Sequence, residues 1–208
     1  MKKALIVTAL LAAGSVQAQD GAVFSANAVG YVKKAITTGF NMVANPLVAE
    51  SNVVSDLFAA APAGTSVFKF VGGSFQSAQQ PAPGLWVGPL ASQELVPGEG
   101  VWVQSPGDFE MVFVGEVEQG DLTVELPAGF SMASSRVPQQ GALQGDLGFP
   151  AAQGLQVFQF VNGGFATSQA PLPTGAFLSD PTVAVGEAFW VNAPSALTWT
   201  RSFDVNAQ

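Results

Sequence analysis

Polar and apolar positions alternate along this chain in short runs. Ser66-Val-Phe-Lys-Phe-Val71 reads as a strand, Gly72-Gly73 as a tight turn and Ser74-Phe-Gln-Ser77 as the returning strand. Gly163-Gly164 repeats the signal ahead of Phe165. In each hairpin two aromatic residues stand at i and i+2, Phe68 with Phe70 and Phe158 with Phe160. They share one strand face, with Lys69 or Gln159 on the other, so the aromatic face is expected to be core. Gly98-Glu99 and Gly186-Glu187 each turn into a further strand, Val101-Trp-Val103 or Phe189-Trp-Val191, which Pro106 or Pro194 ends. Helical periodicity is nearly absent. The exceptions are Ser55-Asp-Leu-Phe-Ala-Ala60, with Ser55 or Asp56 as N-cap, and a weaker counterpart at Gly145-Asp-Leu147.

The pattern occurs twice. Gly39-Phe-Asn-Met-Val-Ala-Asn-Pro-Leu47 returns as Gly129-Phe-Ser-Met-Ala-Ser-Ser-Arg-Val137, and Val67-Phe-Lys-Phe-Val-Gly-Gly73 returns as Val157-Phe-Gln-Phe-Val-Asn-Gly163, both 90 positions on. Pro97-Gly-Glu-Gly-Val-Trp-Val103 returns as Val185-Gly-Glu-Ala-Phe-Trp-Val191 at a separation of 88. A duplication of this length predicts two similar packed modules. At their junction, Phe24 to Val32 resembles Phe109 to Val117, which also holds the place of Leu197 to Phe203 in the second copy. One central strand is thus expected to close the first unit and open the second, with Glu118-Gln-Gly-Asp121 as a turn. The fold class that follows is all-β: two tandem homologous β-sandwich or small-barrel modules sharing a central strand region, residues 19–115 and 116–208, packed side by side. Equivalent positions are expected to sit in separate cores. An outer-membrane barrel is the structural rival, but it predicts strands near 10 residues with an apolar outward face, and these are shorter and broken by Pro.

Residues 1–18 read as a secretory signal peptide: Lys2-Lys3, an apolar Ala4 to Ala13, and a Val16-Gln17-Ala18 cleavage site. Its apolar run is too short to span a bilayer, although an uncleaved anchor is the alternative. The chain is therefore expected to be exported to the periplasm, outer surface or exterior. Without those residues, five basic side chains face fifteen acidic ones. That balance repels phosphate backbones, so nucleic acid is not an expected partner, and solubility accounts for it.

With no His and no Cys, the Ser-His and Cys-His nucleophiles, thiol redox chemistry and the usual zinc, copper and haem ligand sets are excluded. Only carboxylates remain for acid-base work. Pairing Asp56 with Asp146, or Glu99 with Glu187, across the duplication is the sharpest catalytic idea. The simpler reading makes the Asp residues caps and the Glu residues turn acceptors. Export favours calcium as a cation, and Glu116, Glu118 and Asp121 form the densest acidic cluster, a candidate weak site; a solvated strand edge explains it as well. No other cofactor is expected. Among the four tryptophans, Trp102 and Trp190 are flanked by Val or Phe and read as core. Trp86, in a Pro/Gly loop with Phe177 as its approximate counterpart, is the candidate platform for stacking a sugar ring.

The series Gly39 to Leu47, Val67 to Gly73 and Pro97 to Val103 resembles a recurrent, mostly uncharacterised β-repeat module of exported bacterial proteins. The second copy departs from it, with Ser134-Ser135-Arg136 in place of Ala44-Asn45-Pro46 and Ala188 in place of Gly100. Whatever Asn45 and Pro46 do is therefore expected in one copy alone. The expected function is non-enzymatic: an exported protein that acts in cell-surface, periplasmic or matrix interaction and assembly. Its partner would be a protein or polysaccharide surface, with self-association as a further option. A carbohydrate-binding module using Trp86 is the alternative, and a carboxylate-dependent hydrolase the remote one.

Overall fold

The computed structural model describes residues 28–170 and 172–206, so the expected signal peptide and its cleavage site lie outside the described residues. The first half contains β1 (Val29–Ile36), β2 (Gly39–Val43), the helical turn α1 (Val54–Leu57), β3 (Ser66–Val71), β4 (Ser74–Ala82), β5 (Leu85–Val87), β6 (Val101–Ser105) and β7 (Phe109–Glu116). The second contains β8 (Gly120–Leu126), β9 (Gly129–Ser134), β10 (Gly141–Ala142), β11 (Leu155–Val161), β12 (Gly164–Ala170), β13 (Thr182–Val183), β14 (Ala188–Ala193) and β15 (Leu197–Phe203).

Each half pairs its first strand with its last. β1 runs antiparallel to β7, with Val29 opposite Glu116 and Ile36 opposite Phe109, and β8 runs likewise against β15. The strands between them form an antiparallel sheet, in the order β2-β6-β3-β4-β5 in the first half and β9-β14-β11-β12 in the second. β10 and β13 make a separate small pair. The protein is all-β and sandwich-like, and none of its sheets closes into a barrel. Burial drives this arrangement. Val32, Ile36, Met111 and Phe113 on the inner face of the first ribbon pack against Val43, Val67, Val101 and Val103 on the inner face of its sheet. Leu126 and Trp199 do the same against Ala133, Val157, Phe189 and Val191.

The junction uses two strands where the pattern pointed to one. β7 closes the first half against β1, and the Val117 amide donates to the Ala28 carbonyl at 2.8 Å. β8 then opens the second half, so the counterpart of β1 is β8. Closing and opening strands alternate alike, which is why they look interchangeable in sequence. The helical turn also differs from expectation. Its N-cap is Val53, which has no side chain to cap with, and Asp56 instead accepts from the Ser51 hydroxyl at 2.6 Å.

Candidate functional site

The two halves meet through contacts that occur in matched pairs. The Ala44 amide donates to the Gly186 carbonyl at 3.1 Å, and the Ser134 amide to the Gly98 carbonyl at 3.0 Å. Val43 bridges to Glu187 as Ala133 bridges to Glu99. Each contact is the repeat equivalent of the other, so a pseudo-two-fold axis relates the halves, as in an isologous dimer. Near that axis Gly100 meets its own counterpart: a Cβ on Gly100 would lie 2.6 Å from the Ala188 Cβ. The expectation of separate cores fails here. Met42, Ala44, Trp102 and Ala188 form one buried cluster drawn from both halves. Lys34 also reaches this seam, where burial lowers its pKa and the Glu187 carboxylate opposes the shift.

Around the seam the aromatic residues form two matched nests. Trp102 meets Phe160 edge-on at 4.9 Å between ring centroids, and Trp190 meets Phe70 at 5.0 Å. Phe40 leans on Trp102 at 5.8 Å, and Phe130 on Trp190 at 6.2 Å. Phe75 stands 5.1 Å from Phe70, and Phe165 5.3 Å from Phe160. Four rings stay open to solvent: Phe40 at 48%, Phe75 at 52%, Phe130 at 53% and Phe165 at 57% relative exposure. They border two grooves. One, of about 490 Å³, is lined by Phe40, Phe68, Phe75, Trp102, Phe160 and Phe165. The other, of about 470 Å³, is lined by Phe70, Phe130, Phe158, Phe165 and Trp190. Each is built from one half's sheet and the other half's hairpin, and their size is that of small-ligand sites.

The local sequence explains the placement. Along β3, β6, β11 and β14 one set of alternate positions turns to the inner core, among them Val67, Val101, Val103, Val157, Phe189 and Val191. The opposite set carries the rings. That second face was expected to be core, and it is only part-buried, because the other half covers it near the seam and leaves it open farther out.

Of the platform candidates, Phe177 is buried in the second core, 6.4 Å from Phe149. Trp86 is half-buried and edge-on to Phe58 at 6.3 Å. The two are approximate repeat counterparts; the burial of Phe177 corrects its reading as a sugar platform, and Trp86 lies at the edge of the first core with part of its ring exposed.

The acidic cluster separates. Glu118 is held by the Arg136 guanidinium, whose pKa its hydrogen bond raises, and Glu116 pairs through its backbone with Val48. Among the described residues no group of three or more acidic side chains is placed to hold a metal ion, which corrects the calcium reading of Glu116, Glu118 and Asp121.

Glu99 accepts from the Val96 amide at 3.0 Å and Glu187 from the Ala184 amide at 2.9 Å, as turn acceptors do. Lys69 Nζ also contacts Glu99 at 2.7 Å, and Gln159 donates to Glu187 at 2.8 Å. Asp146 accepts from the Ala142 amide at 2.8 Å.

The expectation about Asn45 is corrected in part. Asn45 Oδ1 accepts from the Leu47 amide at 3.1 Å, and Ser135 Oγ accepts from the equivalent Val137 amide at 3.2 Å. A hydroxyl performs the same turn closure as the carboxamide.

No family profile, curated protein or solved structure matches the chain. No described helix is long and apolar enough to cross a membrane.

Proposed function

We propose that this is an exported, non-enzymatic interaction protein whose working surface is the twin-grooved aromatic face. The observation that carries the reading is the set of four solvent-open phenyl rings, matched in pairs around the seam. Single exposed apolar residues are ordinary, but a contiguous apolar patch signals a contact surface. Two halves combine to build each groove, so the module arrangement and the surface are one construction. The carboxylates that an acid-base reading needs are engaged in local turns instead.

The test is retention. A Phe40→Ser/Phe130→Ser variant, exported at the parental level and still fully folded at the assay temperature, is expected to leave the washed cell envelope or matrix for the medium while the parent stays bound. Equal retention of parent and variant would overturn the assignment of this face as the working surface.

A further inference from the structure

The rings do not stand alone on their face. Directly paired residues of antiparallel strands point to the same side of a sheet. Met42, Trp102, Phe68 and Ser77 therefore make one row across β2, β6, β3 and β4. One step along the strands, about 6.7 Å away, runs a parallel row of Phe40, Gln104, Ser66 and Gln79. The second half repeats both rows. Met132, Trp190, Phe158 and Thr167 match the first, and Phe130, Asn192, Gln156 and Gln169 match the second. Gln79, Gln104 and Gln169 are exposed, and Asn192 donates to Gln156 at 3.2 Å. None of these positions carries a charge, on a chain of net charge −8.

We infer that the face binds an uncharged polysaccharide, laid with its sugar rings over the open phenyl rings and grooves and its hydroxyls against the neighbouring carboxamides. This rests on the aromatic face being the working surface. A pyranose ring has an apolar C–H face and a rim of hydroxyls, and the surface offers the open rings of Phe40, Phe75, Phe130 and Phe165 beside the exposed carboxamides of Gln79, Gln104 and Gln169. Each carboxamide supplies both donors and an acceptor, so it serves hydroxyls of either orientation. A purely apolar partner leaves those amides buried and unpaired, which is costly. An anionic polymer is repelled by the acidic surface.

Native-gel affinity electrophoresis of the whole protein in galactomannan, xyloglucan and a neutral β-glucan, with alginate as the anionic comparison, tests this. At least one neutral polymer is expected to retard the protein, and alginate is not. A Gln79→Ala/Gln104→Ala/Gln169→Ala variant is expected to lose about tenfold in apparent affinity. Its binding of the apolar dye bis-ANS at the grooves should stay parental. Three outcomes overturn the assignment: no retardation in any neutral polymer, undiminished retardation of the amide variant, or a dimer in sedimentation that Phe40→Ser/Phe130→Ser dissolves. If the aromatic variant loses envelope retention while no neutral polymer retards the parent, the interaction reading stands and the polysaccharide assignment falls.

Discussion

Gly100 and Ala188 are repeat equivalents that touch each other, and the space between them admits one methyl group. Away from the seam the repeats diverge freely, because nothing there forces a residue to fit its own counterpart. At the seam they are bound by a shared volume, which keeps position 100 a glycine while position 188 carries the methyl.

A reciprocal swap tests this directly. Gly100→Ala alone places two methyl groups in one space and should cost about 1–3 kcal/mol, as overpacking does. Gly100→Ala combined with Ala188→Gly restores a single methyl and should recover most of that loss. Denaturant titration of both single variants and the double variant gives the coupling energy, and additive effects would mean that the two positions do not share the space.

Phe177→Ala removes a ring from the second core and should cost about 3–5 kcal/mol, as buried aromatic truncations do. Trp86→Ala removes a half-buried ring and should cost less, though clearly more than a surface change. Thermal melts of the two variants rank them, and a parental melting temperature for Trp86→Ala would show that its contact with Phe58 contributes nothing.

On the open face the expectation reverses. Phe75 meets Phe70 and Trp190 edge-on, so Phe75→Ser should forfeit about 0.5–1.5 kcal/mol for each aromatic pair beyond its modest burial. Phe40, about as exposed and also set in two aromatic pairs, with Phe68 and Trp102, should cost a similar amount on replacement by Ser. Chemical unfolding of the two variants measures both, and a loss of several kcal/mol at Phe40 would place that ring in a core.

Asp108 supplies a pH handle. Its carboxylate accepts from the Thr38 amide at 2.7 Å and the Thr38 hydroxyl at 2.9 Å, and these bonds hold its pKa below the ordinary 3.8. A carboxylate lowered on folding contributes stability that is fully present above its unfolded pKa and is lost as pH falls through the folded one. Asp108→Asn should therefore flatten the acid limb of the stability profile below pH 3.8 and leave the neutral slope unchanged. An unaltered acid limb would show that Thr38 does not tune this group.

Much of the fold is legible in the sequence because its signals are local. Gly72-Gly73 marks a hairpin with positive φ at both residues, the second turn lies one residue earlier than Gly163-Gly164, at Asn162-Gly163, and Glu99 and Glu187 close the turns expected of them. The face assignment is harder. Alternation places Phe68 beside Phe70 on one side of β3 but does not say what covers that side. The answer lies in a hairpin from the other half, far away in sequence, and a covering this partial has no periodic trace. Phe177 departs from its expectation for a related reason: a loop rich in Pro and Gly suggests solvent, yet the ring folds back over Phe149 of its own module.

The matched contacts between the halves carry an evolutionary consequence. A chain holding one repeat would find the same amide and carbonyl partners on a second copy of itself, so the present protein has the form of a homodimer joined into one polypeptide. Joining frees each half to change alone, and one methyl at the axis is a mark of that freedom. The two grooves then follow from one surface repeated about the axis, and Phe165, which lines both, ties them together.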